Sequence, residues 1–216
     1  MTHEKCAAEL FPETMPSLEH LDTSLRGKRF LGNLMGIHGP PTARGKQIAD
    51  GYVKLVEKAV IEYQQSREKL VLFIVNGAHE FDNYCRAQDH IESCIQSLHR
   101  AILYLDKLRG LGFRQADGSP FVPKPRELTV LRHPIKDRVR DFRDVSEHLD
   151  NDIICGNIWP GADVAVHLGW DGVDLAGKKI SYVELAKWLE QLHRFALLLS
   201  RVQITVGEPI RCANLQ

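Results

Sequence analysis

The chain has 216 residues, an apolar fraction of 44%, and 28 Lys and Arg against 28 Asp and Glu. The length suits one domain, and the zero net charge excludes a protein that binds nucleic acid or anionic membranes through a large overall basic excess. No apolar run approaches the ~18 residues that span a bilayer, and residues 1–13 contain no signal-peptide pattern. We therefore expect a cytoplasmic protein that does not associate with membranes.

The sequence lacks the common cofactor and metal motifs. Five cysteines are widely spaced and form no C-x-x-C pair, which indicates neither a zinc ribbon nor a disulfide scaffold. No H-E-x-x-H, no glycine-rich phosphate loop after a predicted strand and no G-x-S-x-G elbow is present. We expect no metal and no cofactor.

Residues 1–41 predict an irregular N-terminal arm, because prolines and glycines interrupt its short apolar pattern. A helix is predicted after Thr42, a suitable N-cap, from apolar residues at helical spacing: Ile48, Tyr52, Leu55, Val56, Ala59 and Tyr63. The apolar run 70–75 would either extend this helix or form a buried strand. We favour the helix, because residues 66–69 contain no turn signal, and Asn76-Gly77 predicts its end.

Two further helices follow. The second has apolar residues at three-and-four spacing and ends at Gly110: Tyr84, Ile91, Ile95, Leu98, Ile102, Leu105 and Leu108. A loop rich in proline and glycine covers residues 114–126. The third helix is predicted over about 134–150, with its own apolar stripe: Ile135, Val139, Phe142, Val145 and Leu149.

Beyond the third helix, the spacing of the apolar residues changes from a helical period to a period of two residues. The alternating residues Val164, Val166, Leu168 and Trp170 are expected to lie on the helices. Asp171-Gly172 predicts a hairpin turn, because both positions of such a turn favour positive φ. We place this β-hairpin at about 162–178, as a satellite of the helices.

A fourth helix begins at the capping box Ser181-x-x-Glu184 and continues to about residue 203, with residues 204–216 as a loose tail. The resulting prediction is a mainly α protein. It consists of a four-helix bundle over 42–203 with a small β-hairpin between the third and fourth helices.

The third helix contains the segment Arg143-Asp144-x-x-x-His148. This segment resembles the R-(x4–6)-H motif of HEPN domains, in which a polar residue often follows the arginine and the motif lies on a late helix of a helical bundle. The resemblance covers about residues 42–203. Many HEPN proteins are metal-independent endoribonucleases, and others are not catalytic.

In the active members, arginine and histidine of two subunits or domains meet at a dimer cleft. The resemblance implies that His148 is the general acid/base, that Arg143 binds the scissile phosphate of RNA, and that Asp144 orients one of them. It also implies a homodimer, a toxin or defence role, and an antitoxin or other regulatory partner.

Residue chemistry is consistent with these roles. Histidine titrates near neutral pH and exchanges protons on both sides of a phosphoryl transfer, and the planar guanidinium of arginine suits phosphate oxygens. On one helix, Arg143 and His148 lie about 140° apart, each flanking the apolar stripe. A shared site therefore requires a second copy of the helix, which a two-fold dimer supplies.

Two other functions remain open. The chain could be a non-catalytic HEPN-like module that binds a nucleotide, RNA or a partner protein, or an interaction scaffold in which the motif is accidental. Arg143 and Glu147, four residues apart, could simply form a surface ion pair. A local excess of basic residues over 124–143 lies beside the motif, but such an excess is also common on ordinary surfaces.

Overall fold

The computed structural model describes residues 14–34, 40–76, 79–115, 118–156 and 165–201. These ranges contain the helices α1 (Leu25–Leu34), α2 (Ala43–Val75), α3 (Phe81–Gly110), α4 (His133–Ile154) and α5 (Tyr182–Arg201) and a 3-10 turn at Thr129–Leu131. They also contain the strands β1 (His167–Leu168), β2 (Gly172–Leu175) and β3 (Lys178–Ser181). The prediction of a mainly helical protein with a small β element is confirmed.

Helices α2 and α3 form a long hairpin that supplies much of the core. The Gly45 amide donates to Oγ1 of Thr42 at 3.0 Å, which confirms the predicted N-cap. The helix continues through the apolar run 70–75 to Val75, as predicted, and α3 ends at Gly110. The two helices approach closely at Gly51, where a Cβ atom would lie 2.3 Å from the Tyr104 ring.

The N-terminal region differs from the irregular arm that we expected. Met15, Leu18 and Leu25 are fully buried, and α1 follows directly from this buried segment. Arg29 of α1 donates from Nη1 to the carbonyl of Leu199 on α5, at 2.8 Å. The apolar pattern of α1 is too short to predict a helix. Burial against the rest of the chain is what orders this segment. The division into arm, bundle and tail stays a prediction.

The β element is a three-stranded antiparallel sheet in the order β1-β2-β3. Ala176 and Gly177 have φ values of 48° and 79° and connect β2 to β3, as a two-residue turn with two positive φ angles does. The predicted hairpin is present between β1 and β2. The Gly169 amide donates to the Gly172 carbonyl at 2.9 Å, so the chain reverses at Trp170-Asp171, one residue before the predicted pair Asp171-Gly172. Neither residue of that pair has a positive φ, and Gly172 belongs to β2, where a Cβ atom would lie 2.4 Å from the Ile180 carbonyl oxygen.

The sheet lies against the helices through its apolar side. Val166 and Leu168 are buried, as predicted, and the Leu168 amide donates to the Tyr84 hydroxyl of α3 at 3.0 Å. The expectation that Trp170 packs on the helices is wrong, because it is 46% exposed. Strand β1 ends at Leu168, so Trp170 lies in the turn and not in the alternating pattern. Val164 lies outside the described residues.

Helix α5 begins at the predicted capping box. The Glu184 amide donates to Ser181 Oγ at 3.2 Å, and Ser181 Oγ donates to the Glu184 carboxylate at 3.0 Å. The Tyr52 hydroxyl of α2 donates to the Leu192 carbonyl at 2.8 Å, which joins α5 to the core. Within the described ranges, no helix combines the length and the apolar character needed to cross a membrane.

Candidate functional site

Helix α4 carries the predicted site and packs by one face only. Val139 and Phe142 are buried, and they place the opposite face of the helix in solvent. Lys136 forms an ion pair with Asp106 of α3, and the Ser146 hydroxyl donates to Glu92 of α3. These two contacts orient α4 antiparallel to α3.

Arg143 is half-buried at the edge of the contact between α4 and α3. Its Nη1 donates to Asp144 Oδ1 at 2.8 Å, and Nη2 forms an ion pair with the Glu147 carboxylate. Hydrogen bonding to Asp144 raises the pKa of Arg143. Both partners belong to α4, so the surface ion pair expected between Arg143 and Glu147 is present. Asp144 contacts Arg143, and its role in orienting Arg143 or His148 stays a prediction.

His148 stands three residues after Val145 and one before Leu149 of the apolar stripe, beside which we expected it. Its side chain is exposed on the solvent face of α4. Five helical residues separate it from Arg143, which corresponds to about 140° around the helix and about 7.5 Å along its axis. The structure therefore does not bring Arg143 and His148 together within one copy of the chain.

A second histidine, which the sequence analysis did not select, faces Arg143 across the helix contact. His99 lies seven residues after Glu92 and seven before Asp106, the two α3 residues that contact α4. Residues seven apart share one face of a helix, so His99 also lies on the α4 side of α3. On α4, Arg143 stands seven residues after Lys136 and therefore shares the α3 side.

The electrostatic environment of His99 agrees with this placement. Burial lowers the pKa of His99, and the positive charge of Arg143 lowers it further. Asp144 and Glu147 raise the same pKa to a smaller extent, and Arg140 lowers it. The sequence signal that would have found His99 is the row of polar residues at intervals of seven along one face of α3: Glu92, His99 and Asp106.

The local basic excess over 124–143 is largely compensated by acidic partners. Arg138 pairs with Glu184 of α5, and Lys136 pairs with Asp106 of α3. Arg140 pairs with Asp137 of its own helix at 3.1 Å. Acidic residues distant in sequence thus lower the positive potential that the segment would have by itself.

In the described part of the chain, no three His, Cys, Asp or Glu side chains are grouped so as to hold a metal ion. Comparison of the chain with protein-family models, curated proteins and solved structures finds no match. The function is therefore inferred from the residues and contacts of the chain itself.

Proposed function

We propose that the chain is a HEPN-like protein that cleaves RNA with residues of α4, and that helices α2 to α5 are its four-helix bundle. One observation supports this most directly. Arg143 and His148 both reach solvent from α4, whereas the buried face of that helix is formed by other residues such as Val139 and Phe142. The motif residues are therefore not needed for packing.

The proposed reaction is attack of a ribose 2′-hydroxyl on the adjacent phosphorus. The O2′–P bond forms, the P–O5′ bond breaks, and the products carry a 2′,3′-cyclic phosphate and a 5′-hydroxyl. Arg143 binds the phosphate oxygens and stabilises the charge that grows on them. His148 exchanges protons with the reacting oxygens. No step requires a metal ion.

A homodimer is part of this proposal. Arg143 and His148 of one copy point in different directions from α4, so a cleft between two copies would bring the arginine of one near the histidine of the other. Light scattering at micromolar concentration should report twice the mass of the chain. A monomeric mass together with full ribonuclease activity would contradict the dimeric site.

The decisive experiment measures cleavage of RNA in the presence of EDTA by the wild type, His148→Ala and His133→Ala. His133 is also an exposed histidine of α4 and serves as the matched control. We expect His148→Ala to lose about 10²- to 10⁴-fold in rate, with unchanged folding because the side chain is exposed, and His133→Ala to retain the wild-type rate. Activity that EDTA abolishes and magnesium restores would contradict the mechanism, as would an active His148→Ala.

A second candidate function has its own supporting observation. The guanidinium of Arg143 forms ion pairs with the carboxylates of Asp144 and Glu147. These negative charges oppose the approach of a phosphate. This arrangement favours the non-catalytic alternative, a HEPN-like module that binds a nucleotide, RNA or a partner protein without using Arg143 as a phosphate ligand. Binding of RNA without cleavage, and without loss of affinity in His148→Ala, would support it.

A toxin or defence role with an antitoxin or regulatory partner belongs to the catalytic proposal. It is tested by expressing the wild type and His148→Ala in growing cells. Growth arrest by the wild type alone supports the role, and equal growth of both strains contradicts it.

A further inference from the structure

The arrangement of α3 and α4 places a histidine beside the proposed phosphate-binding arginine in the same copy of the chain. Glu92 and Asp106 of α3 contact Ser146 and Lys136 of α4, respectively. His99 lies midway between the two α3 contacts and on the same helix face. The level midway between the two α4 contacts is that of residue 141. Arg143 lies about 3 Å from this level along the helix axis.

His99 is half-buried at this contact. The charged groups that face it are Arg143, Asp144, Glu147 and Arg140, all from α4. Two cations and two carboxylates therefore surround the imidazole. Burial and the positive charge of Arg143 favour its neutral form, which is the form that accepts a proton.

His148, by contrast, has an exposed side chain. Cleavage by transesterification requires one group that removes the 2′-hydroxyl proton and one that protonates the leaving 5′-oxygen. With His148 alone, one exposed imidazole would have to do both, at two positions on opposite sides of the phosphorus. A neutral histidine beside the phosphate-binding arginine resolves this difficulty.

We propose that His99 is the general base of the RNA-cleaving site, that Arg143 of the same copy holds the phosphate, and that His148 of the second copy is the general acid. The imidazole of His99 takes the 2′-hydroxyl proton as the O2′–P bond forms. The 5′-oxygen leaves with a proton from protonated His148 as the P–O5′ bond breaks. The carboxylates of Asp144 and Glu147 stabilise the imidazolium that His99 becomes. This inference rests on the proposed function.

The first test is independent of turnover and follows the histidine side chains of the full-length protein by NMR. The titration of His99 should lie below the ordinary pKa of a histidine side chain, because burial and Arg143 disfavour its charged form. In Arg143→Gln, the titration of His99 should move to higher pH while that of His133 stays unchanged. A nucleoside 3′-monophosphate should shift the His99 resonances of the wild type and not those of Arg143→Gln. Equal titration of His99 in both proteins, or no response to the nucleotide, would overturn the proposed pairing.

The second test compares pH profiles of cleavage by the wild type, His99→Ala and His99→Gln. We expect both variants to lose about 10²-fold or more and to lack the acidic limb of the profile, which reports the base, while retaining the alkaline limb of His148. His99→Gln keeps a polar side chain of similar length if the smaller residue disturbs packing. Added imidazole should restore part of the activity of His99→Ala, which a purely structural role would not explain.

The outcomes separate the two proposals. Cleavage by the wild type with an unchanged rate and profile in both His99 variants overturns the role of His99 and leaves the ribonuclease function standing. A wild type that does not cleave RNA overturns both.

Discussion

Arg138 and Arg143 stand five residues apart on α4, yet they have different surroundings. Arg138 donates from Nη1 and Nη2 to the two carboxylate oxygens of Glu184, at 2.9 and 3.0 Å, and its guanidinium lies 5.6 Å from the centre of the Trp188 ring. It also donates to the Lys179 carbonyl of β3 at 3.0 Å. The partners of Arg143 that form ion pairs, Asp144 and Glu147, belong to its own helix.

Arg138 connects α4 to other elements of the fold, whereas the ion pairs of Arg143 do not leave α4. The contacts of Arg138 join α4 to β3 and α5, so they contribute to the tertiary structure. The ion pairs of Arg143 lie within α4, so they stabilise that helix locally and join it to no other element. An arginine that the fold does not require is available for a ligand, and each prediction below tests this difference.

The largest expected effect concerns RNA cleavage by Arg143→Lys and Arg138→Lys. An ammonium group does not reproduce the two-point contact of a guanidinium with phosphate, so we expect Arg143→Lys to lose about 10²-fold or more in rate. Arg138→Lys, the matched control, should cleave at the wild-type rate. Equal losses in the two variants would remove the distinction between the arginines.

The free energy of unfolding should depend more on Arg138 than on Arg143, which is the reverse of their effects on cleavage. Arg138→Ala removes a half-exposed ion pair and a contact with an aromatic ring, together about 1–2 kcal/mol. Arg143→Ala should lower the free energy of unfolding less than Arg138→Ala does, because the ion pairs of Arg143 lie within one helix. Urea denaturation of both variants measures the difference, and a larger loss in Arg143→Ala would show that the tertiary structure depends on Arg143.

Low pH should weaken the ion pair between Arg138 and Glu184. The hydrogen bond from Arg138 lowers the pKa of Glu184 from 4.5 to about 2. A carboxyl whose pKa is lower in the folded state contributes its stability above its ordinary pKa, and this contribution is lost as the pH falls from 4.5 towards 2. Because both side chains are more than a third exposed, we expect less than about 1 kcal/mol.

The measurement is the free energy of unfolding of the wild type and Glu184→Gln at pH 7 and pH 3. The wild type should be the more stable at pH 7, and the gap should narrow at pH 3. A gap of the same size at both pH values would contradict the lowered pKa of Glu184.

The smallest effect should come from freeing Arg143. Glu147→Gln removes one of the two carboxylates that compete with phosphate, at a cost to α4 of about 0.2–0.5 kcal/mol. The same energy returned to ligand binding corresponds to an affinity for RNA about twofold higher, measured by fluorescence anisotropy. Glu184→Gln, which acts at the other arginine, should leave RNA affinity unchanged. Weaker binding by Glu147→Gln would show that the carboxylate assists the ligand.

Local signals in the sequence predicted the four longer helices and several of their ends. Thr42 and the box from Ser181 to Glu184 are caps whose partners lie within three residues, and the apolar stripe of α4 predicts its buried face through Val139 and Phe142. Such features depend on hydrogen bonds and spacing within one segment, and the sequence shows both. The motif Arg143-Asp144-x-x-x-His148 was likewise visible because it lies on one helix.

The tertiary structure alone decided the rest. The turn between β1 and β2 lies at Trp170-Asp171, one residue before the predicted pair Asp171-Gly172, because the pairing of Leu168 with Val173 sets the register there. Helix α1 is ordered by burial against distant residues. His99 and Arg143 are 44 positions apart in the sequence and face each other only because α3 and α4 pack antiparallel. Contacts between distant segments depend on how whole elements pack, and no local pattern in either segment encodes that.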